Sequence, residues 1–291
     1  MRLGLHALGI GTGARPEVID AVARSAEAAG FATLWAGEHV VMVDRPDAPY
    51  PYSDDGKIAV PSDADWLDPL LALAFAAAST TSIRLATGIL LLPQHNPVVV
   101  AKQAATLDAL SKGRFVLGVG IGWSREEFRA LGIPFAGRSD RTAEYVEAMR
   151  TLWADDPATY HGETVRFEQV RCFPKPHRGR LPVVLGGNSD GALDRVAAYG
   201  DGWYGFGLAG AEVGERVDSL RERIRRAGRD PASVTMAVAL RDGEAGDVEA
   251  LAALGVDELV VVGAPPDSAG AVAGWVGELA RRWSPGDASR A

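Results

Sequence analysis

A chain of 291 residues is long enough for one (β/α) barrel or two smaller domains, and a 47% hydrophobic share supports a large core. Thirty-eight acidic against 30 basic residues leave a net charge of −8 with the basic side chains scattered, which argues against a nucleic-acid surface. A single cysteine, Cys172, excludes a disulfide framework and a Cys-based zinc site within the chain, and without an N-terminal apolar stretch or a long unbroken apolar run the reading is a cytoplasmic protein with no membrane segment.

In chain order, alternation over residues 2–7 predicts a first strand, and Gly9, Gly11 and Gly13 a loose turn before a helix over 16–29 that Gly30 ends. A second strand over 33–36 closes on Gly37, Glu38 and His39. Residues 44–65 turn to Pro, Asp, Tyr and Ser without periodicity, and such a long loop on the ligand side of a parallel sheet reads as a lid. Asp68 before Pro69 suits an N-cap followed by Pro at N1 and opens a helix reaching Ser79. The stretch 83–122 is the organising unit, strand, helix, strand. Its first apolar run stops at Pro93; Asn96 caps and Pro97 begins a helix on which Val100, Ala104, Leu107 and Leu110 recur; Gly113 ends it. Both strands are apolar on both faces and finish in glycine, as interior parallel strands leading to a ligand edge do.

After Gly122 the periodicity predicts helices over 126–131 and 139–153, an excursion hairpin over 158–172 around Gly162, and a fifth strand over 182–185 that ends in Gly186, Gly187 and Asn188. A helix over 190–199, a strand over 202–206, a charged helix over 212–227, a strand over 234–240, a helix over 247–254, a strand over 258–262 and a helix over 269–283 complete the chain, with disorder expected only in the last few residues. Eight strands alternating with helices predict an α/β fold of the (β/α)8 TIM-barrel type, one domain over 1–291, with an extended loop after strand 2 and a small hairpin excursion after strand 4.

In such a barrel the strand ends meet at one mouth, which gathers His6, Glu38, His39, Gly88, the glycines from Gly118 to Gly122, Gly186 to Asn188, Gly205 and Arg241. Bare backbone there admits a flat or phosphorylated cofactor, although a glycine also serves simply to end a strand. Neither Gly9-x-Gly11-x-Gly13 nor Gly118-x-Gly120-x-Gly122 has the third glycine of a dinucleotide fingerprint at its proper offset. His6 stands alone, and Glu38 and His39 point opposite ways if the strand continues, so no metal is expected. His39 sits beside a carboxylate and before the lid, where an imidazole would exchange a proton near neutral pH; a packing role is the alternative. Trp123 and Phe206 read as rim aromatics or as cover for a flat ring, and Arg138, Arg141 and Glu144 as an ion-pair set at helical spacing.

The segments WAGEHVVM, YPYSDDGK, ATGILLLPQHNPVVVAKQAATLDALSKGRFVLGVGIGWSREEFRALGIPF and LPVVLGGNSDGALDRVAAYGDGWYGF, spread over roughly the first two-thirds of the chain, resemble the bacterial-luciferase-like monooxygenase superfamily in its coenzyme F420-dependent branch. The resemblance implies a dimeric (β/α) barrel holding a flavin or the 5-deazaflavin F420 at its C-terminal mouth. It implies that Glu38 and His39 flank the deazaflavin, that Thr87, Gly88 and Ile89 lie against its face around a cis peptide at Gly88–Ile89, and that Gly120, Gly122, Trp123, Gly186, Gly187 and Asn188 approach its tail and phosphate. Where the sugar-phosphate dehydrogenase branch carries a proton-donating glutamate this chain has Trp123, and its only lysines are Lys57, Lys102, Lys112 and Lys175, which speaks against a phosphosugar. The implied activity is an F420-dependent oxidoreductase moving a hydride between the deazaflavin and a small organic substrate, with His39 catalytic. The alternatives are an FMN-dependent two-component monooxygenase and a non-catalytic flavin-binding barrel. The expected partners are that substrate and a second copy of the chain, docked through the Ala-rich surface of residues 97–111.

Overall fold

The computed structural model describes residues 1–244 and 247–283. Ten strands form in chain order: β1 (Arg2–Leu8), β2 (Thr33–Ala36), β3 (Arg84–Thr87), β4 (Phe115–Val119), β5 (Ala158–His161), β6 (Arg166–Val170), β7 (Val183–Gly186), β8 (Gly202–Leu208), β9 (Thr235–Leu240) and β10 (Glu258–Val262). Eight of them close a parallel barrel in the order β1-β2-β3-β4-β7-β8-β9-β10, with β10 returning to pair with β1 in the register Arg2 with Glu258 through His6 with Val262. The other two, β5 and β6, make the antiparallel excursion that follows β4. The helices are α1 (Pro16–Ala28), α2 (Pro69–Ala78), α3 (Pro97–Leu110), α4 (Arg125–Ala130), α5 (Arg138–Ala154), α6 (Asp190–Tyr199), α7 (Gly210–Arg226), α8 (Asp247–Ala253) and α9 (Ala269–Trp283). The disorder expected at the very end concerns residues 284–291, which lie outside the described residues.

The period of two along each strand sorts its side chains into two cores. Trp35, Ala86, Val184, Tyr204, Ala237, Ala239 and Val260 point inward, where the small alanines leave room for Trp35 and Tyr204 to stack at 4.6 Å. Their neighbours Leu34, Leu85, Leu117, Leu185, Trp203, Val238 and Leu259 point outward under the helices. Strands buried on both faces read as unbroken apolar runs for this reason. At the bottom of the barrel the buried carboxylate of Glu258 accepts from Trp35 Nε1 at 2.9 Å, Thr33 Oγ1 at 3.1 Å and Arg84 at 2.5 Å, closing that end with a satisfied ion pair.

The caps are where the sequence put them. Asp68 accepts from Leu71 N at 3.0 Å, and Asn96 from Val98 N at 2.9 Å and Val99 N at 3.3 Å. One surface expectation fails, because Arg138, Arg141 and Glu144 do not pair with one another. Arg138 donates to Gly122 O at 3.1 Å and Arg141 to Pro134 O at 2.6 Å, while Glu144 accepts from Thr164 N and Val165 N at 2.8 Å and so pins the hairpin to α5. Unpaired backbone groups of neighbouring loops outcompete an ion pair that water would largely screen. The Gly88–Ile89 peptide is cis. Among the described residues no helix is long and apolar enough to cross a membrane.

Candidate active site at the barrel mouth

Regular pairing of β2 stops at Ala36, and the next three residues turn across the C-terminal mouth. Glu38 faces sideways. Its Oε2 accepts from Leu91 N at 2.5 Å, and both its oxygens accept from His95 Nε2 at 3.0 and 3.1 Å. Burial opposes charge on His95, but the hydrogen bond and charge of Glu38 outweigh it and raise the imidazole's pKa. Glu38 therefore ties the end of β2 to the loop between β3 and α3. His39 turns the other way, its Nδ1 3.0 Å from Oε1 of Glu127 on α4. Its ring meets Trp66 nearly edge-on at 4.8 Å and Trp123 at 6.4 Å, and Trp66 is itself held by a 3.1 Å bond from Nε1 to Gly37 O. Among the described residues nothing hydrogen-bonds His39 Nε2.

Beside His39, β3 leads into the segment carrying Ile89. The Thr87 hydroxyl donates to Gly118 O at 2.6 Å and accepts from Gly118 N at 2.8 Å, so that side chain is spent on joining β3 to β4. A Cβ on Gly118 would lie 1.9 Å from Thr87 O, and one on Gly120 would lie 1.9 Å from Ile89 Cδ1. Gly186 likewise gives its space to Ile89. These glycines seat Ile89 in the mouth, because a side chain at Gly120 or Gly186 would occupy its place. The amide of Asn188 is also committed, donating to Phe206 O at 2.7 Å and accepting from Phe206 N at 3.3 Å.

The loop of residues 44–65 lies over the opening. Tyr50 packs against Trp123 at 5.6 Å and Tyr52 against Phe206 at 5.8 Å, and burial raises both phenol pKa values, so both stay neutral. On the β1 side, His6 Nδ1 is 3.1 Å from Tyr204 OH, and burial pushes this imidazole down to about 4. Buried polar atoms without a partner among the described residues gather around this mouth: His6 Nε2, both ends of the Gln94 amide, Trp123 Nε1 and Glu127 Oε2. Such atoms are uncommon in folded proteins and call for a ligand or another functional reason.

The sequence profile of the luciferase-like monooxygenases matches residues 3–272. The chain belongs to that family. It is 37% identical over 264 residues to an uncharacterized protein of Mycobacterium tuberculosis, covering 90% of this chain and 92% of that one. It is 32% identical over 149 residues to the FMNH2-dependent dimethylsulfone monooxygenase of Pseudomonas fluorescens, covering 50% of this chain and 40% of that one. The structure of the coenzyme F420-dependent tetrahydromethanopterin reductase from Methanopyrus kandleri superposes with a TM-score of 0.75 over 97% of each chain at 16% identity, a likeness of fold.

Three arginines bring positive charge together beside Gly122. The guanidinium groups of Arg125 and Arg138 lie 4.2 and 3.7 Å from the ring centre of Phe135. Arg195, on the first turns of α6, donates to Ser139 Oγ at 3.3 Å. Burial first, then the charges of Arg125, Arg195 and Arg141, lower the pKa of Arg138. Mutually repelling cations with no carboxylate partner among the described residues suit a phosphate or carboxylate ligand. Sequence reasoning gave Arg138 to an ion-pair set and Tyr50 and Tyr52 to the lid motif, and assigned no role to Arg125, Arg195, Glu127 or Trp66, because their spacing along the chain carries no period. The Glu126-Glu127 pair opening a helix was the one visible signal for Glu127, and it reads equally as a solvated first turn.

Proposed function

We propose that the protein is an F420-dependent oxidoreductase that moves a hydride between the deazaflavin and a small organic substrate, with His39 handling the accompanying proton. The observation that carries this reading is His39 Nε2, without a partner among the described residues, on a ring held at the mouth by Glu127 and Trp66. The residues present fit a flavin-type group. Gly88 and Ile89 would back its ring, Gln94 and Trp123 offer unspent hydrogen-bonding atoms, and Arg125, Arg138 and Arg195 would meet its anionic tail beside Gly120, Gly122, Gly186, Gly187 and Asn188. Glu38 and Thr87 would act from behind, by holding the segment that carries Ile89. The cofactor supplies the hydride-carrying ring; the protein orients it, excludes water and moves a proton at His39 Nε2. The aromatic lid of Tyr50 and Tyr52 supports the water-excluding part. A second reading, an FMN-dependent monooxygenase, has the likeness to the dimethylsulfone enzyme in its favour. We also propose a homodimer built on α2 and α3.

The test is a cofactor titration joined to one variant. F420 should bind at micromolar affinity or better, about −8 kcal/mol, with FMN much weaker. His39→Ala should slow turnover by about a hundredfold while cofactor affinity changes less. Tight FMN binding without measurable F420 affinity would overturn the cofactor assignment, and unchanged turnover in His39→Ala would leave that residue a packing role.

A further inference from the structure

The partner of His39 is an unusual thing to bury. Glu127 is 1% exposed, and while Oε1 meets His39, Oε2 has no partner among the described residues. Its backbone N–H is capped by Ser124 Oγ at 3.3 Å, which fixes the first turn of α4 and with it the direction of the side chain. For packing alone, a Leu or Met of the same reach would fill the space without stranding a carboxylate oxygen. The neighbouring pair shows the contrast: both oxygens of Glu38 are engaged, by Leu91 N and His95. A local rule broken without a packing return marks a functional position.

The geometry then sets the chemistry of the imidazole. With Glu127 ionised its oxygen can only accept, and the 3.0 Å contact then requires the hydrogen on Nδ1. Neutral His39 therefore presents a lone pair at Nε2, and the imidazolium presents an N–H at that same atom. The proton that comes and goes between the two states is the one on Nε2, the nitrogen without a protein partner among the described residues. Trp66 and Trp123, meeting the ring at 84° and 81°, limit its rotation about the bond that would exchange the two nitrogens.

We propose that Glu127 is the positioning residue of His39: it fixes the ring and keeps Nδ1 protonated, so that Nε2 is the single atom through which His39 exchanges a proton with a ligand in the mouth. The kinetic part of this proposal rests on the proton-handling role of His39 proposed above; the tautomer does not. Nitrogen-15 NMR of the cofactor-free protein reads the tautomer directly, with the signal assigned among the five histidines by its loss in His39→Ala. Wild type should keep Nδ1 protonated while Nε2 alone changes with pH. Glu127→Met should lose the Nδ1–H preference, and Glu127→Gln, which retains an acceptor oxygen, should regain it. In turnover, Glu127→Met should lower kcat by about tenfold or more with the KM for cofactor within about twofold. An Nε2–H tautomer in wild type, or an unchanged tautomer in Glu127→Met, would overturn the proposal; the wild-type spectrum decides it even if Glu127→Met fails to fold. A tautomer that follows Glu127 together with normal turnover in His39→Ala would leave the positioning intact and remove the proton-handling role instead.

Discussion

Glu38 is the residue on which the mouth's framework depends. Replacing it with Ala would leave Leu91 N–H and the His95 ring without their acceptor inside the protein, at a cost of about 3 to 5 kcal/mol, measurable as a lower urea midpoint. The same pair makes a pH prediction. His95 has a raised pKa, so its stabilising contribution is fully present below the ordinary value of 6.5 and fades as pH rises through the higher folded value. His95→Gln should therefore lose more stability, relative to wild type, on the acid side of neutrality than on the alkaline side. A constant difference across that window would show that the pair carries no charge linkage. His6 works in the opposite sense. Held down to about 4 by burial, it adds a destabilising term that sets in as pH falls below 6.5, where the unfolded chain takes up a proton and the folded one does not.

At the scale of elements, the passage from β3 to β4 is tight at Gly118, where an added Cβ would meet backbone. Gly118→Ala would drive a methyl to 1.9 Å from the Thr87 carbonyl, which no rotamer can relieve, so a loss of about 3 kcal/mol or more is expected in thermal or urea unfolding. Gly120→Ala meets the tip of Ile89 instead, and that side chain can turn. Its expected signature is different: a smaller stability loss but a clearly weaker cofactor affinity, because Ile89 leaves its place in the mouth. Equal effects of the two substitutions on stability and on binding would contradict this division of labour.

The whole molecule carries an apolar face that the barrel itself does not cover. On α2 Leu71 is 70% and Phe75 48% exposed, and on the adjoining α3 Val99 in the first turn is 52% and Leu110 at the far end 69% exposed. A surface helix of a monomer has one apolar stripe and one polar face, whereas α2, read PLLALAFAAA, is apolar all round. Covering by a second copy is the proposed resolution. Light scattering should give a dimer at micromolar concentration and a monomer for Phe75→Glu combined with Leu110→Glu; a wild-type monomer would refute it.

The eight-stranded order, the caps at Asp68 and Asn96, the hairpin around Gly162 and the lid were all written locally, because they follow from hydrophobic period, turn residues and composition within short windows. The same local logic reached His39 and the glycines at the strand ends, since a barrel brings every strand end to one mouth whatever the details. It could not say which way side chains face once the strand has stopped, and there the tertiary structure decided. Glu38 and His39, adjacent in sequence, bond to His95 in the loop before α3 and to Glu127 on α4. Gly120 and Gly186 make room for Ile89, and Arg125, Arg138 and Arg195 meet from three separate helices. Contacts between residues tens of positions apart are fixed by strand register and helix packing, and neither leaves a period in the chain from which to read them.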